Sequence, residues 1–385
     1  MIVKLVFWIS AGTTFYVYAG YPLLLELMQL LFRRPMRKEA ITPSVSLLIA
    51  AYNEAGVIAT KISNALALDY PSHQLEIVLA SDGSTDETVA IVRSLISMGG
   101  RGPTVRLLEF SENRGKLAVL NDCIPQLGGE IVVFSDATSM LASNSLRHLV
   151  ANFADPEVGA VSGVYTVVNH CQASLGSQED FYWRYETFLK AQEAKIGGLT
   201  GAHGSLYAMR KSLYPFPPAG AINDDFVIPT SVLRLGFRIA YETKAISYEE
   251  AAEMEGFGRR VRIMAGNVEQ LRQAKSLLWP LRPLPLFCFL SHKGGRVLVP
   301  SALLALFLGN LLLWHSPFYR WFFWAQIGFY VLAFVGAFRG LRPKLLRLPF
   351  YFCWINAAWF VWLYRVVFCR GGEASYQART HAAWH

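Results

Sequence analysis

The chain has 385 residues, of which 53% are hydrophobic and 14% aromatic, and carries a formal net charge of +8. That length allows two or three domains, and the composition is too oily for an ordinary soluble pair of them. Much of the basic excess sits beside apolar runs, where anionic lipid head groups account for it, so nucleic acid is excluded as a partner.

The first element is a charge-free run over residues 5–25. At a rise of about 1.5 Å per residue, a helix of that length crosses the roughly 30 Å hydrocarbon core of a bilayer. Arg33, Arg34, Arg37 and Lys38 follow the run, whereas a cleaved signal peptide carries its positive charge in front. Residues 1–32 are therefore expected to be a transmembrane anchor. Val297–Phe318, Trp321–Phe338 and Leu348–Tyr364 are further uncharged, aromatic-rich runs, which predicts three more spans within 297–368. Arg339, Arg342, Lys344 and Arg347 make the loop before the last run basic, while the stretch around Pro317–Arg320 is nearly neutral. The positive-inside rule then places both basic clusters and the intervening domain in the cytoplasm, and both chain ends outside. Cys123, Cys171, Cys288, Cys353 and Cys369 form no C-x-x-C pair, so neither a disulfide framework nor a zinc site is expected.

Within residues 43–256 the pattern changes to short apolar runs (SVSLLIAAY, LEIVLAS, TVRLLEF, EIVVFSD, VGAVSGVY) separated by helix-like segments. Alternating strands and crossover helices imply an α/β domain with a mostly parallel sheet covered by helices on both faces. Ligands bind beyond the carboxyl ends of such strands. Those ends are polar throughout: Asn53 and Glu54, then Asp82, then Asn113 to Lys116, then Ser135 and Asp136. Ser84 and Glu87 stand at capping-box spacing and predict a helix through Val89 and Val92. Asp224 and Asp225 stand where they would cap a helix through Val232 and Leu235. No G-x-G-x-x-G, no G-x-x-x-x-G-K-[ST] and no G-x-S-x-G occurs, which leaves dinucleotide redox, P-loop and serine hydrolase functions unsupported.

The stretches AAYNE, SDGSTDET, NRGKLAVLN, FSDAT, GAHGSLYAMR and INDDF, in this order and spacing, resemble the family 2 glycosyltransferases of GT-A fold. The likeness is to the membrane-integrated branch that includes hyaluronan, poly-N-acetylglucosamine and cellulose synthases, and it covers about residues 43–270. It implies a nucleotide-sugar donor, with a UDP-sugar expected. Asp82 would contact its base or ribose, with Tyr52 and Glu54 close by, Lys116 and Ser135 would lie at the nucleotide, and Asp136 would hold Mg²⁺ or Mn²⁺ between the phosphates. Asp225 falls where the family's catalytic aspartate does and Asp224 where the preceding glutamate does. Gly201, His203 and Gly204 would line the acceptor pocket. The implied setting is a bacterial inner membrane.

The likeness breaks at RRVRI, residues 259–263. Processive members carry Q-x-x-R-W there; Arg262 keeps the arginine, expected at the diphosphate with Arg260 beside it, but Arg259 replaces the glutamine and Ile263 the tryptophan. An aliphatic side chain offers a sugar ring no aromatic face. Val261, Met264, Val268 and Leu271 still recur at helical spacing, so residues 257–290 are expected to include an interfacial amphipathic helix. The sequence thus points to an inverting, metal-dependent glycosyltransferase of GT-A type with four transmembrane helices and that interfacial helix. Its acceptor is expected to be a saccharide in extracellular or capsular polysaccharide synthesis, with a single transfer to a polyprenyl-linked or other lipid acceptor as the alternative. Too few helices to enclose a polymer channel would call for a homo-oligomer or an export partner. A reading of another class, a nucleotide-sugar-binding subunit of an exporter, is disfavoured because the apolar runs hold no acid apart from Glu26 at the edge of the first.

Overall fold

The computed structural model describes residues 1–99, 102–168, 176–218, 221, 223–250, 257–338 and 344–368. Cys171, Cys369, Arg339, Arg342 and Ile222 of INDDF lie outside the described residues.

The strands are β1 (Val45–Ala51), β2 (Leu75–Asp82), β3 (Thr104–Phe110), β4 (Ile131–Asp136), β5 (Met140–Leu141), β6 (Val158–Val168), β7 (Tyr207–Arg210) and β8 (Arg238–Glu250). They form one sheet in the order β3-β2-β1-β4-β7-β6-β8-β5. β1, β2, β3 and β4 pair in parallel, as does β6 with β8, while β7 runs antiparallel to both β4 and β6. The sheet is therefore mixed, because the YAMR half of GAHGSLYAMR turns back between β4 and β6. Every residue of β1 is buried. Alternate side chains feed opposite faces: Leu48 and Ala50 join one core with Val78 and Val132, and Leu47 and Ile49 join another with Ile77 and Val133.

The helices are α1 (Ile2–Phe32), α2 (Ile58–Leu66), α3 (Thr88–Ser97), α4 (Lys116–Cys123), α5 (Ser145–Val150), α6 (Gly176–Lys195), α7 (Asp224–Arg234), α8 (Phe257–Gln273), α9 (Pro283–Leu312), α10 (Pro317–Gly336) and α11 (Lys344–Phe368). The capping box does not form. Ser84 Oγ instead accepts the Asn53 N–H at 3.1 Å, and Asp86 Oδ1 takes the Thr88 N–H at 3.0 Å, so α3 starts at Thr88.

Among the described residues, α1, α9 and the Arg347–Phe368 part of α11 are long and apolar enough to cross a membrane. That makes three such helices where four were expected. α10 occupies the fourth position and packs on α9 and α11, but is not among the three. α9 begins at Pro283 instead of Val297, so His292, Lys293 and Arg296 belong to it. All three side chains meet Glu186 of α6, at 3.3 Å from His292 and 3.5 Å from Lys293 and in a direct ion pair with Arg296. Glu193, also on α6, accepts from Tyr21 of α1 at 2.7 Å and lies 2.8 Å from the other nitrogen of His292. α6 is thus the strut between the sheet and the spans.

α8 packs on α11 through a face that includes buried Val261 and Met264. Arg260 does not face outward with the other polar residues of α8. It is buried, donates to the Tyr351 hydroxyl at 2.7 Å and sits over the rings of Tyr182, Tyr351 and Trp354, a cage that removes it from the expected diphosphate contact. The basic cluster after α1 is likewise partly engaged by the domain, Lys38 with Glu242 at 2.6 Å and the Arg37 N–H with Asp155 Oδ2 at 3.2 Å.

Candidate functional site

The polar strand ends are sewn to one another. Asn53 adopts a left-handed conformation (φ 54°) and its Oδ1 accepts the Thr85 N–H at 2.8 Å, while the Glu54 N–H bonds Thr88 Oγ1 at 2.8 Å. The turns after β1 and β2 are thereby joined. Asp82 is 2% exposed and spends one oxygen on the Arg114 N–H at 2.8 Å and the other on the Gly115 N–H at 2.9 Å, which ties β2 to the loop entering α4. Gly83, at φ 69°, is the one residue type that fits there, since a Cβ would lie 2.5 Å from the Glu112 carbonyl carbon. Tyr52 and Glu54 sit partly buried at the rim. Burial first, then the charges of Asp136, Asp86 and Glu249, push the Glu54 carboxyl up to about 7.

At the centre, Lys116 at the start of α4 holds Asp136 Oδ1 at 2.7 Å and Asp224 Oδ2 at 3.1 Å. The Tyr207 hydroxyl donates to the same Asp224 oxygen at 3.2 Å. Burial of the ammonium works against its charge, but the two carboxylates overcome this and keep Lys116 protonated well above the usual lysine range. Gly204 is the meeting point of two acids: a Cβ there would stand 3.6 Å from Asp136 Oδ2 and 3.9 Å from Asp225 Oδ2. Only a bare backbone leaves that space open to a ligand. No hydrogen bond or ion pair engages the Asp225 carboxyl among the described residues. Burial, then the neighbouring Asp224, push it up to about 6 against the opposing pull of Lys190 and Lys116.

The segment 201–204 is hung on α7. Ala202 N–H donates to the Asp225 carbonyl at 2.7 Å, and Gly201 rests against Phe226. His203 is turned into the core instead: its Nε2 lies 3.1 Å from the Tyr241 hydroxyl, its N–H meets Ser162 Oγ at 3.1 Å, and its ring packs edge-on to Trp183. Burial keeps the imidazole neutral, well below its usual range. Ser135 is also interior, with its hydroxyl between the Lys61 ammonium at 2.7 Å and the Ser205 carbonyl at 2.9 Å. Arg262 lies one turn before Gly266, whose carbonyl accepts from Asn223, the residue preceding the acid pair, at 3.2 Å.

Several residues of this constellation escaped the sequence reading. Lys61 of α2 is fully buried beneath Asp136, donates to Ser135 and the Ser139 carbonyl, and is lowered to about 7 by desolvation. A charge in line with Ile58, Ile62 and Ala65 on the apolar face of a helix was its signal. Lys190 of α6, also buried, donates to the Ala202 carbonyl at 3.0 Å. Its spacing from Glu186, Leu189 and Glu193 marks one buried face of α6. Glu249 of β8 accepts from Thr138 at 3.0 Å and brings a second acid to the FSDAT turn. Its distance along the chain hid it.

The fold defines the class first: a GT-A type α/β domain mounted on membrane helices. Residues 46–215 match the model of the family described as Glycosyl transferase family 2. A beta-monoglucosyldiacylglycerol synthase of Nostoc sp. is 28% identical over 235 residues, covering 60% of this chain and 49% of its own. A poly-beta-1,6-N-acetyl-D-glucosamine synthase of Staphylococcus aureus is 26% identical over 272 residues, covering 69% and 63%. The chain thus spans about half to just under two thirds of the length of these curated relatives. The solved mannosyltransferase PcManGT of Pyrobaculum calidifontis, in complex with GDP-Man and Mn²⁺, shares the fold with a TM-score of 0.71 at 24% identity, over 92% of this chain and 98% of that one.

Proposed function

We propose that the protein is an inverting glycosyltransferase that moves a sugar from a nucleotide donor to an acceptor hydroxyl at the cytoplasmic face of a bacterial inner membrane. The observation that carries this reading is the pair of carboxylates, Asp136 and Asp225, facing each other across the bare backbone of Gly204. In a single displacement the acceptor oxygen bonds to the anomeric carbon as the bond from that carbon to the diphosphate oxygen breaks. The departing oxygen keeps the electron pair, and the hydroxyl proton needs a base on the acceptor side. Asp225, with a free carboxyl raised to about 6, takes that proton at neutral pH. Lys116 lies where charge develops on the leaving diphosphate, and Asp224 with Tyr207 holds its ammonium in place. Asp82 acts by fixing the loop that delivers Lys116, Tyr52 and Glu54 form the nucleotide rim, Ser135 supports Asp136 from below, and Arg262 meets the diphosphate from α8. Gly201 and Gly204 shape the acceptor side.

A divalent ion suits this site only together with the donor. Among the described residues no three or more His, Cys, Asp or Glu side chains are grouped to hold a metal. Asp136 offers the oxygen turned toward Gly204, and a hard Mg²⁺ or Mn²⁺ would complete its shell with diphosphate oxygens and water. Bound there, the ion supplies Lewis-acid neutralisation of the leaving group. Mn²⁺ titrated into donor-free protein and followed by electron paramagnetic resonance should bind weakly, and UDP or GDP should tighten it. Tight stoichiometric binding without nucleotide would contradict this account.

The direct test of function is nucleoside diphosphate release by the solubilised protein with Mn²⁺ or Mg²⁺, a panel of UDP- and GDP-sugars, and native lipids as acceptor source. Release with one or a few donors is the expected result. Silence across the whole panel, with nucleotide still bound, would favour the exporter-subunit reading. Two acceptor classes fit the surface site, a growing saccharide and a lipid; Ile263 in place of the aromatic platform favours the lipid.

A further inference from the structure

Between α1, α9, α10 and α11 lies a partly open cavity of about 670 Å³ whose walls include Phe15, Tyr18, Leu306, Ala325, Phe329 and Phe352. It is lined almost wholly by carbon, so within a bilayer it holds hydrocarbon and not water. Its position relative to the site says whose hydrocarbon. Tyr18, one of its wall residues, meets Phe352 edge-on with ring centroids 5.4 Å apart. The Tyr18 carbonyl accepts from the Tyr185 hydroxyl of α6 at 3.1 Å. Five residues further along α6, about 7.5 Å at 1.5 Å per residue, is Lys190, which braces the loop over Asp225. Tyr351, the neighbour of Phe352, bonds Arg260, and Arg296 donates to Tyr182 at 3.1 Å and covers the Tyr185 ring. Next to the Tyr18 and Phe352 wall, on the side of α6, there is thus a collar of tyrosines and two guanidiniums.

We infer that this cavity takes the hydrocarbon chain of the acceptor, so that the acceptor is a lipid whose head-group hydroxyl is delivered past the Tyr182, Tyr185 and Arg296 collar to Asp225. This rests on the transfer reading above and deepens it. A lipid chain lodged between the spans restricts the head group to the membrane surface, where an acceptor with no aromatic platform at Ile263 would otherwise diffuse away. Immobilising one reactant in this way replaces the binding that stacking supplies in processive relatives.

The test uses the full chain in nanodiscs made with native lipid extract, a radiolabelled donor sugar chosen from the panel above, and two cavity-filling variants, Ala325→Trp and Ala11→Phe. Product is partitioned between an organic phase and a water-soluble or insoluble polymer phase, and nucleoside diphosphate release without acceptor lipid is followed in parallel. The wild type is expected to place label in the organic phase, and each variant to lower that label about tenfold while acceptor-independent release stays unchanged. A diazirine-bearing hexadecanol should crosslink to α1 and α10 in the wild type and lose those adducts in the variants. Organic-phase label at the wild-type rate in both variants overturns the inference, and so does label confined to polymer. Absence of nucleoside diphosphate release from the wild type under every condition would instead defeat the transferase reading itself.

Discussion

Asp225→Asn is expected to lower sugar transfer by about 10²- to 10⁴-fold, the usual contribution of a positioned base, with nucleotide affinity at the wild-type level. The amide keeps the shape of the carboxyl and the packing of the first turn of α7, but it cannot accept the proton of the attacking hydroxyl. Because burial and Asp224 raise the Asp225 carboxyl to about 6, the wild-type rate should climb with pH through that value: below it the carboxyl already holds a proton, above it the base is free. Turnover against pH, with nucleotide affinity from calorimetry, checks both statements. Near-normal turnover in the variant would move the role to Asp224.

Lys190→Met should be the next most damaging change among those outside the acid pair. The ammonium is buried, donates to the Ala202 carbonyl, and belongs to the charges that pull the Asp225 carboxyl down. Methionine keeps most of the volume but leaves that carbonyl unpaired and lets the loop over Asp225 relax, for which a loss of about 10²-fold is a reasonable scale. Removal of the cation also lets the Asp225 carboxyl rise further, so the acid limb of the rate profile should shift to higher pH. Lys190→Arg retains the charge and should restore the limb. A slower enzyme with an unmoved acid limb would mean that Lys190 only packs.

The parallel half of the fold was readable in the chain because β1, β2 and β4 are runs buried on both faces and each ends abruptly on a polar residue. That pattern alone placed Glu54, Asp82 and Asp136 at one edge. What the chain hid depends on partners distant in sequence. Ser84 has capping-box spacing, yet Asn53 claims its hydroxyl. YAMR is too short to announce a strand until β4 and β6 take it up on either side. The charge-free run ending α9 began at Val297 because Lys293 and Arg296 precede it, and nothing local revealed that Glu186 would pair with them. His203 looked like a ligand by its glycine neighbours, and only Tyr241, Ser162 and Trp183 show that its ring is spoken for.

The strut formed by α6 has a consequence for selectivity. Glu186 and Glu193 clamp it to α9 and α1, and Lys190 clamps it to the loop over Asp225. The base is thus fixed at one height above the hydrocarbon, like the jaw of a depth gauge. Acceptors would then be sorted by how far their hydroxyl protrudes from the bilayer as well as by the identity of the group that bears it, and a head group one sugar longer would overshoot. Under that geometry the addition of a sugar would carry the product beyond reach, and the proposed transfer would stop after one step.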